Sequence, residues 1–286
     1  MAFGFRPIRA RPLLAGILTS LLAAALLATF AGPVLERPRE LFFDMLIRSI
    51  PAPESDGLLV VDIDRNSFRA APGENWQRAQ TAELVAALAA AKPAAIAFDL
   101  VFSSNCDPGD TANRALAAAL GTVPSVLGFL IGEATDRPPG PVPALAVQRP
   151  VAVPDLWFVD GTESACPIFQ QQAAAAASAF LVGDADSLVR RIQAYAVVGN
   201  AAYPALGLEV ARRAGRAGTP VLGGAPPWIR QDARIIRLDE DGSLRFAAAD
   251  ADRIARRTVS AIDVINGTVA PERIRDKVVL VGSSLP

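Results

Sequence analysis

An uncharged run from Leu13 to Gly32 constrains this chain more than any other feature of its sequence. The run reads LLAGILTSLLAAALLATFAG. As an α-helix, these 20 residues would extend about 30 Å, which is the thickness of the hydrocarbon core of a bilayer. The run therefore predicts one N-terminal transmembrane helix over residues 13–32.

The charges that flank the run predict its orientation. Arg6, Arg9 and Arg11 precede it, and no acidic residue offsets them. Positively charged flanks stay in the cytoplasm. Residues 1–12 are therefore expected to be cytoplasmic. Residues 33–286 are expected to form an extracytoplasmic (periplasmic) domain, held in the inner cell membrane by a single span.

Two other interpretations of the run are a cleaved signal peptide and a buried helix of a soluble protein. The apolar segment of a signal peptide is about 7–15 residues long, which is shorter than this run. No clear A-x-A cleavage site follows it in residues 29–33. A buried helix would need no basic flank. An uncleaved anchor is the favoured interpretation, and a signal peptide would also place the domain outside the cytoplasm.

The composition excludes several classes of function. The chain has 51% hydrophobic residues, a formal net charge of −1, two cysteines and no histidine. This charge does not favour a nucleic-acid partner. The missing histidine excludes Ser-His-Asp and Cys-His catalysis and any His-ligated metal. No phosphate-binding glycine loop is present. The sequence predicts no cofactor and no catalytic constellation.

Buried apolar segments alternate with helical segments after the anchor, which predicts an α/β fold. We expect a helix–sheet–helix sandwich with a mostly parallel central sheet and hairpin additions. The predicted strands are Gly57–Asp64, Ala94–Phe102, Val123–Ile131 and Lys277–Gly282. The predicted helices include Thr81–Ala91, Asp110–Leu120, Ala205–Ala214 and Ala261–Asn266. Because the chain stops just after a buried strand, we expect it to be a fragment of a longer protein, truncated at the C-terminal end of this domain.

Other segments have weaker patterns. Leu35–Ile50 is predicted to continue the anchor as a helix, and the Ala-rich Ile168–Ala177 to form another. Glu133–Pro154, with six prolines, is predicted to be a surface excursion without regular structure. Turn residues at 183–187 and at 239–242 predict two hairpins.

Several segments together resemble the type-2 CHASE domain, an extracytoplasmic sensor named for cyclases and histidine kinases. They follow the N-terminal anchor in the order of that family, from Phe42 to Ser284. The segments are FFDMLIR, LLVVDID, AIAFDLVFS, DADSLVRR, YPALGLEVAR and SAIDVINGTVAPERIRDKVVLVGSS. The resemblance implies a domain that is followed, in its family, by membrane helices and a cytoplasmic cyclase or kinase, none of which is in this chain.

Three aspartates are candidate ligand-binding residues. Asp62 and Asp64 lie two positions apart in the first predicted strand, and Asp99 lies near the end of the second. If these strands are neighbours, the three carboxylates converge at the carboxyl edge of the sheet, where α/β proteins bind ligands. Such a cluster could bind a cation or an amine. The alternative, which is somewhat favoured, is that each aspartate caps a turn or helix or pairs with an arginine.

Arg190 is a further candidate. With Arg191 it could hold a carboxylate or phosphate ligand. The favoured alternative is structural: Asp186 satisfies the turn and Arg190 pairs with a nearby acid.

Cys106 and Cys166 lie in polar loops. An oxidising compartment favours a disulfide between them, against the alternative of two separate thiols. Such a bridge would stabilise the fold by about 4 kcal/mol.

Three functions are consistent with these features. The first is a ligand-sensing domain of a membrane receptor, which the resemblance favours. The others are a metal-dependent extracytoplasmic enzyme that uses the aspartates, and a structural or partner-binding envelope protein. The expected partners are the membrane and an unidentified small-molecule ligand, and a second copy of the chain is a further candidate. Whether the protein binds a metal ion stays open.

Overall fold

The computed structural model describes residues 10–30, 32–49, 56–132, 137–143, 145–151, 158–181, 183–184, 186, 188–246 and 251–285. The chain divides into two compact units, Met1–Pro53 and Glu54–Pro286. The helical segment that follows residue 32 belongs to the first of these units. The predicted boundary at Gly32, between a membrane span and an extracytoplasmic domain, stays a prediction.

The first unit contains two helices. They are α1 (Ala10–Phe30) and α2 (Gly32–Ser49). Helix α2 contains Pro38, as the sequence predicts for a helix that continues from the apolar run. Among the residues that the structure describes, no helix combines the length and the apolar character needed to cross a membrane. The predicted span also includes Ala31, which lies outside the described residues.

The second unit supplies the remaining described helices and all described strands. Its helices are α3 (Arg65–Ala70), α4 (Arg78–Ala90), α5 (Thr111–Leu120), α6 (Pro167–Gln170), α7 (Leu206–Arg213), α8 (Ala251–Arg257) and α9 (Ala261–Ile265). Its strands are β1 (Leu58–Asp62), β2 (Ala95–Phe98), β3 (Ser125–Ile131), β4 (Ala146–Val151), β5 (Phe158–Val159), β6 (Thr162–Glu163), β7 (Ala175–Ser178), β8 (Arg191–Gln193), β9 (Tyr195–Val198), β10 (Ala201–Pro204), β11 (Val221–Gly224), β12 (Trp228–Gln231), β13 (Arg234–Arg237), β14 (Ser243–Arg245), β15 (Thr258–Ser260) and β16 (Val278–Gly282). The α/β class is therefore confirmed.

The largest sheet has seven strands. Their order is β15-β1-β16-β2-β3-β6, and β7 also pairs with β3. Six of these strands pair in parallel, and β6 is antiparallel to β3. The smaller sheets are mostly antiparallel: β10-β9-β5, β13-β12-β11-β4 and β14-β8. The predicted parallel pairing is therefore limited to the large sheet, which β6 makes mixed, and the described sheets taken together are mixed rather than mostly parallel.

Helices lie on both faces of the large sheet. Alternate strand residues, such as Ile96 and Phe98 of β2, pack with helices α4, α5 and α9 in the main core. The intervening Ala95 and Ala97 pack on the other face with α7. Small side chains on that face suit the close approach of a helix. This alternation fixes which side of each strand end faces the α4 and α5 layer.

Three local predictions are wrong, each because strand pairing at a distance overrides a local pattern. Ala175–Ser178 is strand β7, since its Ala side chains fit between β3 and α7, although alanine favours helices. The Pro-rich excursion contains β4, which pairs with β11. The two predicted hairpins are not found among the described residues, where β8 pairs with β14 and β13 pairs with β12. Val182, Ala185 and Ser187, in the first predicted hairpin, lie outside the described residues.

Candidate functional site

The strand order separates two of the predicted aspartates. Asp62 ends β1 and Asp99 directly follows β2, but β16 lies between these strands. Asp62 is in register with Gly282 of β16, and the backbone N–H of Asp99 donates to Val281 O at 2.8 Å. The condition for a cluster of three carboxylates, that the first two predicted strands are neighbours, is therefore not met, although the three aspartates share the carboxyl edge.

Asp64 has a structural role at this edge. It is the N-cap of α3, and its Oδ1 accepts hydrogen bonds from Ser67 N at 2.9 Å, Ser67 Oγ at 2.8 Å and Ser260 Oγ at 2.8 Å. The hydroxyl of Ser67 also accepts from Ile262 N at 3.2 Å, which ties α3 to α9. Burial raises the pKa of Asp64, but these hydrogen bonds outweigh burial and hold the pKa below its ordinary value.

Asp62 and Asp99 have different surroundings. Asp62 Oδ1 accepts from Ser284 N at 2.8 Å, so it holds the chain that leaves β16. The carboxylate of Asp99 accepts no hydrogen bond from the residues that the structure describes. Much of Asp99 is exposed to solvent, but its partial burial at the strand ends raises the pKa of its carboxyl group. Within the described part of the chain, no three His, Cys, Asp or Glu residues are placed to hold a metal ion.

Arg190 lies in an ion-pair cluster. It is 6% exposed, and its Nη1 bonds Asp184 Oδ2 at 3.0 Å and Asp186 Oδ1 at 2.8 Å. Arg191 Nη1 lies 2.9 Å from Asp184 Oδ1. Hydrogen bonding to Arg190 lowers the pKa of Asp186 to about 2. The charges of both arginines are thus directed at carboxylates of the same loop, as in the structural alternative.

A disulfide joins Cys106 and Cys166, whose Cα atoms lie 5.3 Å apart. Cys106 belongs to the loop between β2 and α5, and Cys166 is the N-cap residue of α6. The backbone N–H of Cys166 also donates to Phe102 O at 2.8 Å. The bridge therefore fastens the loop after β2 to the segment before α6.

A cavity of about 500 Å³ opens beside that loop, and we call it the edge pocket. It begins where β1, β2 and β16 end, at Ile63, Leu100 and Ser283. Its remaining apolar lining residues are Phe68, Trp76, Val101, Phe102 and Ala112, and its remaining polar ones are Gln77, Arg78, Thr81, Asn105 and Asp110. None of the three aspartates predicted as a cluster lines it. Its size is typical of a small-molecule site, and its lining combines seven apolar residues with six polar ones.

Arg78 is the cation of the edge pocket. It lies at the start of α4 and is half-buried, donates from Nη2 to Ser104 O and stacks on the ring of Phe169, with Cζ 4.9 Å from the ring centroid. Its Nη1 is buried and has no hydrogen-bond acceptor among the described residues. Burial lowers the pKa of Arg78, an effect that the charge of Asp110 opposes. The guanidinium remains charged, because an arginine side chain does not lose its proton in proteins.

A second groove, of about 1270 Å³, lies between β4 and β5 in the region of the smaller sheets. Val142, Val147 and Phe158 are exposed along it. Residues 152–157, which join β4 to β5, lie outside the described residues.

Comparison with protein families identifies the chain. The model of the CHASE2 domain matches residues 19–286. The chain belongs to the CHASE2 domain family. This is a family of sensor domains, typically found in receptors, rather than of catalytic domains. The comparisons with curated proteins and with solved structures gave no match.

The residues that line the edge pocket of this CHASE2 domain were not found from the sequence. The carboxylates at strand ends are Asp62, Asp64 and Asp99, whereas the cation of the pocket, Arg78, is the first residue of a helix. Trp76 lies in the polar loop that leads into α4, two positions before Arg78, which begins the helix. An aromatic and a cation together at the start of a crossover helix were the available signal.

Proposed function

We propose that this CHASE2 domain is the extracytoplasmic ligand-sensing domain of a membrane-bound signal-transduction receptor, and that the edge pocket holds its ligand. The single observation that carries the proposal is the pocket itself. It combines aromatic walls with a charged Arg78 at the carboxyl edge of a largely parallel group of strands, the edge at which α/β proteins bind ligands. The receptor would regulate a cyclase or kinase outside this chain.

The pocket is built from segments that a ligand can bridge. Ile63 follows β1, Leu100 to Asn105 follow β2, and Arg78 begins α4. A ligand that touches all three segments favours one arrangement of them over others. The size of the resulting signal is limited by the difference in affinity between the two arrangements.

A thermal-shift screen of the purified full chain in detergent tests the sensing function. Amino acids, sugars, organic acids and nucleosides are screened for a saturable rise in melting temperature, and we expect at least one class to bind and to be recovered unchanged. In Ala112→Phe, a ring at the pocket wall blocks binding. The matched control is Ala118→Phe, on the exposed side of the same helix.

Two results would contradict the proposal. One is a screen in which no class of compound gives a saturable shift. The other is binding that survives Ala112→Phe as well as it survives Ala118→Phe, since the ligand would then occupy another site.

The membrane context is a separate part of the proposal. It is supported by the uncharged run Leu13–Gly32 behind three arginines and by the receptors in which the family occurs. A phosphatase reporter that folds only outside the cytoplasm, fused after Pro286, should be active. A well-expressed but inactive fusion would exclude this topology.

A further inference from the structure

The bonding of Arg78 is incomplete in the edge pocket. One amino group, Nη2, donates to Ser104 O, whereas the other, Nη1, is buried without an acceptor among the described residues. A buried N–H without a partner destabilises a protein, and a charged one more so. Nη1 of Arg78 therefore needs a hydrogen-bond acceptor, and the described part of the chain provides none.

The acid whose charge acts on Arg78 is Asp110, and the two side chains form no ion pair. Asp110 Oδ1 accepts from the N–H groups of Ala112 and Asn113, at 2.8 and 3.0 Å, as the N-cap of α5. Its charge acts on Arg78 through space, but no described carboxylate lies within ion-pair distance of the guanidinium. The pocket thus carries a positive charge that a bound anion can meet.

The edge pocket also has an aromatic surface. Phe68, Trp76 and Phe102 line the pocket, and the indole N–H of Trp76 already donates to Thr81 Oγ1 at 3.0 Å. The aromatic surfaces are therefore left for an apolar group. A ligand that matches both features has an anionic end and an apolar body.

We infer that the ligand of the edge pocket is a small organic acid. Its carboxylate accepts hydrogen bonds from Arg78, which moves to direct its second amino group at the ligand, and its apolar or aromatic body lies against Phe68, Trp76 and Phe102. The cavity of about 500 Å³ holds a molecule of this size. This inference rests on the proposed function of the pocket and adds the chemistry of the ligand.

Three probes separate the two ends of such a ligand. Phenylacetate carries both the anion and the ring, phenylacetamide carries only the ring, and acetate carries only the anion. Binding to the full chain in detergent is followed by tryptophan fluorescence, because Trp76 lines the pocket, and by melting temperature. We expect phenylacetate to bind about ten- to hundredfold more tightly than either of the others, the range for one charged hydrogen-bonded pair.

Variants of Arg78 connect the preference to this residue. Arg78→Gln should reduce the affinity for phenylacetate to that for phenylacetamide, and Arg78→Lys, which keeps the charge, should retain part of it. Arg230→Gln, at an exposed position of β12, is the matched control and should bind as the parent does. Circular dichroism shows that each variant is folded.

Equal binding of phenylacetate and phenylacetamide overturns the inference, and so does an acid preference that persists undiminished in folded Arg78→Gln. The inference is also overturned if phenylacetate does not bind at concentrations up to about 50 mM, which would reveal even a weak ligand. In each case, a compound that binds the parent but not Ala112→Phe would still support the sensing function. Failure of the proposed ligand chemistry is therefore distinguishable from failure of the proposed function.

Discussion

At the scale of single residues, Asp64 and Asp99 show how the same side chain has opposite effects at one edge of a sheet. Asp64 accepts three hydrogen bonds from two serines, which favours its ionised form. Asp99 accepts none from the described residues and is partly desolvated, which favours its protonated form. The folded state therefore gains stability from the charge of Asp64 and loses stability from that of Asp99.

Removal of the Asp64 carboxylate should destabilise the domain. Asp64→Ala deletes the N-cap of α3 and leaves Ser67, which is fully buried, with fewer partners. We expect a loss of about 1–3 kcal/mol, measured by urea unfolding. Asp99→Asn is the matched control and should cost nothing or stabilise the protein near pH 7. A loss in Asp99→Asn as large as that in Asp64→Ala would contradict these roles.

The pH dependence of the two sites should have opposite signs. The folded pKa of Asp64 lies below the ordinary value of 3.8, so its contribution is present above that pH and is lost as the pH falls through the folded pKa. The advantage of the parent over Asp64→Asn should therefore shrink in acid. The folded pKa of Asp99 is raised, so the parent should lose stability relative to Asp99→Asn as the pH rises above 3.8. Melting temperatures between about pH 3 and pH 7 measure both differences, and parallel profiles for the two variants would refute the assignment.

At the scale of elements, Gly128 allows β3 to approach β2 closely. A Cβ at this position would lie 2.5 Å from Phe98 O and 3.0 Å from the Cβ of Ala179. The backbone carbonyl cannot move without disturbing the parallel pairing of β2 with β3. The position therefore requires the absence of a side chain.

Alanine at this position and at a second glycine should have opposite effects. Gly128→Ala should lower the stability by about 1–3 kcal/mol, because the added methyl overpacks the sheet. Gly207→Ala, in α7, where nothing lies within 4 Å of the added Cβ, should raise it by about 0.5–1 kcal/mol through helix propensity. Chemical denaturation of both variants measures these free energies of unfolding. If Gly128→Ala were as stable as the parent, β2 and β3 would have to lie further apart than they do in this structure.

At the scale of the whole molecule, the Cys106–Cys166 disulfide closes a long loop. The two residues are 60 positions apart and connect the segment after β2 with the segment before α6. The bridge also lies next to Asn105, which lines the edge pocket. It stabilises the folded chain chiefly by restricting the unfolded one.

Loss of the disulfide should lower the stability considerably. For a loop of this length, replacement of both cysteines by alanine should cost about 4 kcal/mol. A thiol reductant should lower the melting temperature of the parent only if it reaches the bridge, and it should leave the double variant unchanged. An unchanged unfolding free energy in the double variant would contradict a stabilising role.

The sequence by itself determined the elements that depend on neighbours along the chain. The continuous apolar segments became β1, β2, β3 and β16, because a strand buried on both faces needs apolar side chains at every position. Asp110 starts α5 as its N-cap, and α9 ends before Gly267, which has φ 70°. These signals act within a few residues, so the sequence displays them directly.

Only the tertiary structure decided how these elements meet. Strand β16, from the end of the chain, lies between β1 and β2 and so separates Asp62 from Asp99. The Ala-rich segment that became β7 pairs with β3, despite the helix propensity of alanine. The edge pocket is formed by loops from distant parts of the sequence, with Arg78 at its wall. Pairing between distant strands is set by the packing of the whole core, which no local pattern encodes.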